Sequence, residues 1–352
     1  MKIGIVLGTR PEVMKNYAIV QALRAAEVPF VVLHTNQHHD HLLQAAIFGQ
    51  MGYTPDEIFP GDYSIGAAID WVRGQIQRHA INLILVNGDT AAALVGAIVA
   101  VYSDVGLAHV EAGLRAFDKR MYEERNRIMV DGAAHYLFSY TQYQADYLAK
   151  IPDLRGRIFN IGNTTVDLIH DFAHELTPRR NDNYAYITLH RKEFTDSREM
   201  MHSVFSTINE LALEFDAMIF PMHPRTRAAM EQYGLSMELL NRVQVIDPVE
   251  PFESLAYEKY ANIIITDSGC IQEEAYIFGV PCVTVRDNTE RPETIESGAN
   301  VVTGFAPEAI VAAVRNQRAK KGQQFAAVYG ERGVGQRIVA CLQEHFRSWS
   351  DY

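Results

Sequence analysis

The sequence predicts an α/β protein built from two Rossmann-like, doubly wound parallel-sheet domains that face a central cleft. Three observations predict this class. Strand-like apolar runs alternate with helical patterns along almost the whole chain. The runs are apolar at nearly every position, as expected of strands buried on both faces of a parallel sheet. The chain of 352 residues is also long for one hydrophobic core, so two domains of about 150 to 180 residues each are expected.

The predicted strands follow one another at regular intervals in both halves of the chain. In the first half they are KIGIVL, FVVLH, LILVN, GLAHV and YLFSY. In the second half they are YAYITL, AMIFPM, VQVI, NIIIT and PCVTV. Helical patterns separate them, for example EVMKNYAIVQALRAA, TAAALVGAIVAVYS and MMHSVFSTINELALEF. The order of strand, helix and strand predicts parallel sheets with helices on both faces.

A polar stretch, HELTPRRNDN at residues 174–183, precedes a new strand and predicts the domain boundary. We therefore expect one domain over residues 1–173 and another over 174–335. The helical pattern in 336–352 is compatible with packing on either domain, including a return to the first. Two doubly wound domains that face each other would bind ligand in the cleft at the carboxyl ends of their strands.

The overall composition excludes several classes of function. A formal net charge of −11 argues against a general nucleic-acid or acidic-membrane binder, because such binding needs a basic surface. The negative net charge does not exclude a small anionic ligand that is bound by a few local arginines. The cysteines, Cys270, Cys282 and Cys341, lack CxxC spacing and indicate neither a disulfide framework nor a thiolate zinc site. With no leader pattern at the N-terminus and no run of roughly 20 apolar residues, we predict a cytoplasmic protein.

Two loops of the first half follow predicted strands and can bind an anion. In GTRPE, a glycine turn opens a helix whose free N–H groups attract negative charge, and Arg10 and Lys15 add positive charge. An ordinary strand-to-helix turn with surface charges explains this motif equally well. In GDT, Asp89 is either a helix cap, the commoner role, or a catalytic acid.

The stretch HVEAGLRAFDKRMYEERNR, residues 109–127, is dense in charged side chains and begins at a strand end. Glu111 follows the strand, and Glu123 opens a helix in which Arg127 is four positions later, a favourable ion-pair spacing. A salt-bridged helix start explains each residue singly. Together, Asp89, Glu111 and Glu123 lie at successive strand ends, an arrangement that suits proton removal from one face of a substrate and delivery to the other.

The second half carries motifs typical of a phosphate site. His190, in TLHRKE, and His223, in MHPRTR, each follow a strand and lie beside arginine. In TDSGCIQEEA, Ser268 and Gly269 can offer hydroxyl and N–H groups to a phosphate, and Glu274 can accept hydrogen bonds from ribose hydroxyls. Neither a dinucleotide glycine fingerprint nor a Walker loop occurs at a strand-to-helix turn. These residues predict a nucleotide-like anion without nicotinamide.

The histidine-rich stretch HTNQHHDH, residues 34–41, has no spacing that matches a closed zinc site. We interpret it as a polar loop after a strand, with a second anion contact as the alternative. No metal is predicted.

Taken together, the motifs resemble those of the non-hydrolysing UDP-N-acetylglucosamine 2-epimerases, which have the glycosyltransferase-B architecture. The resemblance covers nearly the whole chain. The markers stand in the order of the family: GTRPE, GDT, HVEAGLR, EERNR, GNT, LHRKE, HP, TDSG followed by IQEE, and TERPE. Each alone is weak, and the ordered set is highly specific.

The resemblance implies reversible interconversion of UDP-GlcNAc and UDP-ManNAc without a metal or another cofactor. UDP would be eliminated to give a 2-acetamidoglucal and then added back with the opposite configuration at C2. It further implies a homodimer. The site residues that it implies fall into an acid/base set and a set that binds the nucleotide. The acid/base set is Asp89, Glu111 and Glu123, and His190, beside the diphosphate, is a further catalytic candidate that can also move a proton. The nucleotide set is Arg10, Lys15, Arg127, His223, Phe252, Ser268, Gly269 and Glu274.

Several positions depart from the family pattern. Tyr122 stands where the family often has proline, and Cys270 stands at the second glycine of the DSGG motif. The aromatic residue expected against uracil is Phe252, with Ser254 as the competing alignment. The alternatives for function are a 2-epimerase of a modified sugar, such as a UDP-2,3-diacetamido-uronate, and a hydrolysing relative that releases UDP and ManNAc.

Overall fold

The computed structural model describes residues 1–37 and 41–346, with the backbone alone for residues 41–44. The chain forms two compact units: unit 1 is Met1–Asp171 together with the segment from Val328 onward, and unit 2 is Phe172–Ala327. The sequence-based division had its boundaries after residues 173 and 335.

Unit 1 is a doubly wound parallel sheet. Its seven strands run in the order β3-β2-β1-β4-β5-β6-β7, and each neighbouring pair is parallel. The elements of this unit are β1 (Ile3–Leu7), α1 (Arg10–Ala25), β2 (Phe30–His34), α2 (His41–Met51), β3 (Glu57–Ile58), α3 (Ile65–His79), β4 (Leu83–Asn87), α4 (Ala91–Tyr102), β5 (Gly106–Val110), α5 (Tyr122–Ala133), β6 (Tyr136–Ser139), α6 (Gln142–Leu148), β7 (Arg157–Asn160), α7 (Thr164–Asp171) and α15 (Val334–His345).

The C-terminal helix α15 belongs to unit 1, where it packs on α1 and α7. The segment before it already binds this unit, because the Tyr329 carbonyl accepts a hydrogen bond from the Asn163 N–H, at 2.9 Å. Asp167 accepts from the N–H groups of Gly333 and Gly335, at 2.6 and 2.9 Å. The predicted boundary at 335 is therefore too late, since these backbone contacts carry no signal in the pattern of apolar residues.

Unit 2 is a second doubly wound parallel sheet, with six strands in the order β10-β9-β8-β11-β12-β13. Short 3-10 turns follow α9 and α10. The elements of this unit are β8 (Tyr184–Thr188), α8 (Lys192–Thr195), α9 (Arg198–Leu211), β9 (Ala217–Pro221), α10 (Pro224–Gln232), β10 (Gln244–Ile246), α11 (Pro251–Tyr260), β11 (Ile263–Thr266), α12 (Gly269–Phe278), β12 (Cys282–Thr284), α13 (Pro292–Glu296), β13 (Asn300–Val302) and α14 (Pro307–Arg318).

The predicted fold class, two parallel-sheet α/β domains, is confirmed. In each sheet the strand order reverses beside the first strand of the unit: between β1 and β4 in unit 1, and between β8 and β11 in unit 2. Loops that leave neighbouring strands in opposite directions open a crevice at such a point, which is where doubly wound sheets bind ligands. Across the described ranges, no helix is both long and apolar enough to span a bilayer.

Candidate active site

In unit 1, the loops after β1 and β4 lie side by side at the switch point of the sheet. Glu12, in the first turn of α1, joins them by accepting hydrogen bonds from Thr9 N, Thr9 Oγ1 and Gly8 N, at 2.8 to 2.9 Å, and from Thr90 Oγ1, at 2.7 Å. Burial raises the pKa of Glu12 to about 7, against these hydrogen bonds, which lower it. Glu12 thus fixes both the GTRPE and the GDT loops. The sequence analysis assigned it no role, although Thr9 and Glu12 have the spacing of a capping box.

Glu111, the residue directly after β5, is buried, with 2% of its surface exposed. Its backbone φ of 74° lies in the left-handed region, which a non-glycine residue adopts at a cost of about 1 to 3 kcal/mol and mostly at functional sites. The side chain forms an ion pair with Lys15 of α1 and accepts a hydrogen bond from Tyr140 Oη, at 3.3 Å. It also reaches the GDT loop, because a Cβ atom added to Gly88 would lie 3.4 Å from Glu111 Oε2.

Asp89 pairs with Arg127, a side chain with only 2% of its surface exposed. Arg127 also lies 3.6 Å from Glu124, three positions earlier on α5. Asn126 donates to the Asp89 carbonyl, at 2.8 Å. The predicted pairing of Arg127 with Glu123 is corrected here, because in the described residues Glu124 faces Arg127 while Glu123 is half-exposed. Asp89, after β4, and Glu111, after β5, thus lie at one edge of the sheet, each beside a cation.

A buried network under this edge fixes the backbone of the HVEAGLR motif. Asp131 of α5 lies 2.6 Å from His109 Nδ1 and accepts from Arg115, at 2.7 Å, and from Gly113 N, at 3.1 Å. His109 also contacts the Gly88 carbonyl, at 2.9 Å. Burial raises the pKa of Asp131, but His109 and Arg115 outweigh burial and hold it below the usual value. The buried part of this stretch is therefore an internal ion network rather than a solvated surface.

In unit 2, His190 follows β8, and Asp267 follows β11, again across the switch point. Asp267 is fully buried and accepts from the N–H groups of His190 and Arg191, both at 2.7 Å. The His190 ring stacks on His223, with ring centroids 5.1 Å apart. Burial lowers the pKa of His190, so its imidazole is neutral at physiological pH. Asp267, which orients the backbone of this histidine, was not singled out from the sequence.

Ser268 occupies the N-cap position of α12 without a capping hydrogen bond from its side chain, and Gly269 is the first helical residue. A Cβ atom at Gly269 would lie 2.8 Å from Glu290 Oε1, so the TERPE loop packs directly on this turn. Glu290 lies 3.1 Å from Arg286, 3.2 Å from Arg291 and 3.8 Å from Arg191. The helix start, which favours a phosphate, thus lies beside three arginines that are ion-paired with Glu290. Arg286 and Arg291 are buried, and Arg291 also pairs with Glu273, at 2.6 Å. TERPE was used as a family marker, but neither its arginine, Arg291, nor the preceding Arg286 was singled out from the sequence.

The remaining predicted residues lie on different elements. Arg10 is exposed at the start of α1. Phe252 of α11 packs on Phe172, with ring centroids 4.7 Å apart, while Ser254, the competing position, donates to Glu258, at 2.7 Å. In the histidine-rich stretch, residues 38–40 lie outside the described residues. No group of His, Cys, Asp and Glu with the geometry of a metal site occurs in the part of the chain that the structure describes.

A family model described as UDP-N-acetylglucosamine 2-epimerase matches residues 21–343. The chain belongs to the UDP-N-acetylglucosamine 2-epimerase family. The predicted family is thereby confirmed, and the chain is an epimerase of this family.

Among the relatives of this family member is the UDP-N-acetylglucosamine 2-epimerase of Methanocaldococcus jannaschii, 35% identical over 97% of this chain and 99% of that protein. The crystal structure of the M. jannaschii enzyme in complex with UDP-GlcNAc and UDP has a TM-score of 0.87 and 34% identity, covering 98% of this chain and all of the other. The UDP-2,3-diacetamido-2,3-dideoxy-D-glucuronate 2-epimerase of Pseudomonas aeruginosa is also 35% identical, over 97% of this chain and 99% of its own length.

The fold of the epimerase extends to a glycosyltransferase. The spinosyn rhamnosyltransferase SpnG matches with a TM-score of 0.57 over 98% of this chain and 100% of its own, at 12% identity. At that identity the match shows the fold alone. It agrees with the glycosyltransferase-B-like class predicted from the motifs.

Proposed function

We propose that this epimerase interconverts UDP-GlcNAc and UDP-ManNAc by eliminating UDP to a 2-acetamidoglucal and adding it back with inverted configuration at C2. The observation that carries this proposal is the pairing of Asp89 with Arg127 and of Glu111 with Lys15 at neighbouring strand ends. The chemistry needs carboxylates to take and return the C2 proton, and cations to stabilise charge on the departing diphosphate. One sheet edge offers both.

Glu111, Asp89 and Glu123 form the proposed acid/base set. The left-handed backbone at Glu111 and its enclosure by Lys15 and Tyr140 fix the carboxylate in one position, and such preorganisation favours proton transfer. Glu123 lies in the first turn of α5. Lys15 and Arg127 would remain close to the phosphates as UDP leaves, together with the exposed Arg10.

The nucleotide is assigned to residues of unit 2. The Ser268 hydroxyl and the Gly269 N–H at the start of α12, with the arginines around Glu290 nearby, suit the diphosphate. Glu274 would accept hydrogen bonds from the ribose, and Phe252 would contact uracil. The neutral His190 can donate to a phosphate oxygen or move a proton, and His223, stacked on it, supports the ring.

The experiment that tests this function is incubation with UDP-GlcNAc in deuterated water, followed by NMR of the products. We expect UDP-ManNAc to form, with deuterium at C2 of both UDP-sugars, because the proton lost to the enzyme exchanges with solvent. Free ManNAc and UDP as the only products would support the hydrolysing alternative. Unlabelled UDP-GlcNAc with no product would contradict the proposal.

A 2-epimerase acting on a UDP-2,3-diacetamido-uronate is the second candidate. The observation in its favour is that the P. aeruginosa enzyme of that specificity is as similar to this chain, at 35% identity, as the M. jannaschii enzyme is. Both substrates react at C2 in the same way, so the site geometry suits either. Comparison of kcat/KM for the two nucleotides decides between them.

We also propose that the enzyme is a homodimer and acts in the cytoplasm, as the family resemblance implies. A mass in solution of twice the 39.6 kDa chain, measured by light scattering, would support the dimer, and the mass of one chain would contradict it.

A further inference from the structure

Two glutamates meet between α11 and α12, the helix assigned to phosphate and ribose: Glu258 of α11 is buried, and Glu274 of α12 is half-buried. Glu258 has 1% of its surface exposed. Its Oε1 atom accepts a hydrogen bond from Ser254 Oγ, at 2.7 Å, and Ser254 in turn contacts Tyr186 Oη, at 2.8 Å. The Tyr257 ring stacks on Tyr186 with an interplanar angle of 7°. Glu258 is therefore held in one orientation by aromatic packing and a short hydrogen-bonded chain.

The other oxygen, Glu258 Oε2, is buried and meets no N–H or O–H donor among the described residues. The group within hydrogen-bonding reach is a second carboxyl, that of Glu274 on α12. Two carboxylate oxygens are both acceptors, so they form a hydrogen bond only when one of them carries a proton. An unprotonated pair would also place two like charges together in a buried site, which is costly.

The groups that face Glu258 from the neighbouring elements offer no countercharge. They are Tyr184 and Tyr186 of β8 and Cys282 of β12, and burial raises the pKa of each of these three groups, which keeps them neutral. In the described ranges, Glu258 has no lysine or arginine within ion-pair distance. A proton shared with Glu274 therefore gives the buried Glu258 Oε2 atom a hydrogen-bond partner and removes one of the two negative charges.

We propose that Glu258 is a positioning residue, which orients the ribose-binding carboxylate of Glu274 through a shared proton. This inference rests on the proposed function, in which Glu274 contacts the ribose. When protonated, Glu258 donates its O–H to one Glu274 oxygen and so orients the carboxylate for a hydrogen bond from a ribose hydroxyl. Nucleotide affinity then depends on a residue that does not itself touch the nucleotide.

The shared proton makes binding sensitive to pH. Burial raises the pKa of Glu258 to about 7, against the hydrogen bonds of Ser254 and Glu274, which lower it. A raised pKa means that the proton is present below pH 7 and is lost as the pH rises through that value. Above it, repulsion between the two carboxylates displaces Glu274 from the position suited to the ribose. We therefore expect affinity for the nucleotide to fall on the alkaline side.

The test is calorimetric titration with UDP-GlcNAc between pH 6 and 8.5, together with KM and kcat at each pH. The diphosphate diester of this ligand does not titrate in that range. Wild-type affinity should fall about tenfold, with the change in KM rather than kcat. Glu258→Gln should bind with nearly constant affinity, because its amide donates to Glu274 at every pH and its carbonyl still accepts from Ser254. Glu258→Ala should bind weakly throughout, and Glu253→Gln on the same helix should behave as the wild type.

The outcomes separate this inference from the proposed function. A wild-type affinity that is independent of pH, or a Glu258→Gln variant with the wild-type pH profile, overturns the shared proton. Equal affinities of Glu258→Ala and Glu258→Gln overturn the positioning role. Binding of UDP-GlcNAc with the expected pH profile, but without exchange at C2, overturns the epimerase function and leaves the acidic pair supported. Absence of UDP-GlcNAc binding overturns both.

Discussion

At the scale of single residues, the buried acidic side chains of unit 1 fall into two groups, which differ in their hydrogen-bond partners and backbone conformation. Glu12 and Asp131 each accept several hydrogen bonds from loop backbone and neighbouring side chains, so they hold the loops in place. Glu111 instead adopts a left-handed backbone and pairs with a lysine. A strained backbone at a residue that forms a buried ion pair costs stability, so a role in the reaction explains Glu111 better than a structural role does.

Glu111→Gln should reduce C2 deuterium exchange by about 100-fold or more, the range expected on losing a proton-transfer group. The amide has the same shape, so UDP affinity should stay within about threefold. The measurement is the rate of label incorporation by NMR, with UDP titration alongside. Glu27→Gln, an exposed glutamate that also has a positive φ, is the matched control. Exchange at the parental rate in Glu111→Gln would remove Glu111 from the acid/base set.

Arg127→Ala should weaken both UDP binding and turnover, since a cation on the diphosphate serves ground and transition states alike. It also leaves the buried Glu124 without its 3.6 Å ion-pair partner, a change that typically costs about 3 to 5 kcal/mol. Urea unfolding should therefore report a stability loss of about that size. The control is Arg125→Ala, an exposed arginine two positions away, which should change neither. Unaltered UDP affinity in a folded Arg127→Ala protein would contradict the placement of Arg127 on the diphosphate.

At the scale of elements, helix α5 is fastened to strand β5 by the Asp131 network. Asp131→Asn should destabilise unit 1 by about 3 kcal/mol at pH 7, because the buried Arg115 loses its counterion and the buried His109 loses its carboxylate partner. The pKa of Asp131 is lowered in the folded state, so its contribution is fully present above the ordinary aspartate value of 3.8 and is lost as the pH falls through the folded pKa. Unfolding in urea at pH 7 and at progressively lower pH should show the difference between variant and wild type narrowing. Asp146→Asn, an exposed position on α6, is the control, and a difference that stays constant with pH would contradict the network.

The turn between β11 and α12 depends on the absence of a side chain at Gly269. A Cβ atom there would approach Glu290 Oε1 to 2.8 Å, so Gly269→Ala must displace the TERPE loop and its arginines from the helix start. We expect UDP affinity to fall about tenfold or more, since backbone donors and cations no longer converge. Gly66→Ala in α3, where an added Cβ meets nothing within 4 Å, is the control and should keep full affinity. An affinity equal to that of the control would show that the turn tolerates the shift.

At the scale of the whole molecule, much of the architecture is predictable because buried parallel strands are apolar at nearly every position. Each of the quoted strand runs coincides with a strand of the structure. The sequence analysis missed β3, β7 and β13, which lie at sheet edges or consist of two to four residues. Short edge strands of this kind contain polar as well as apolar residues, so their apolar pattern is too short to be recognised in the sequence.

The site was less predictable than the fold, for a different physical reason. Strand ends and glycine turns indicate where α/β proteins usually place their chemistry, which is why Asp89, Glu111 and Ser268 are proposed as site residues. They do not show which of two adjacent glutamates faces inward, so the partner of Arg127 was assigned to Glu123 instead of Glu124. Glu258 could not be singled out from the sequence either, because its neighbour Glu274 is brought beside it by the packing of α11 on α12.

The C-terminal helix α15 packs on α1 and so completes unit 1. A Cβ atom at Gly335 would lie 2.2 Å from the Ala18 carbonyl, so Gly335→Ala must push α15 away from α1. Hydrogen exchange should accelerate in the strands of unit 1, β1 to β7, while β8 to β13 of unit 2 keep their protection, because the units have separate cores. Gly74→Ala in α3, where nothing lies within 4 Å, is the control in the same unit. Equal acceleration in both sheets would show that the two units unfold together and that α15 stabilises the whole chain rather than unit 1.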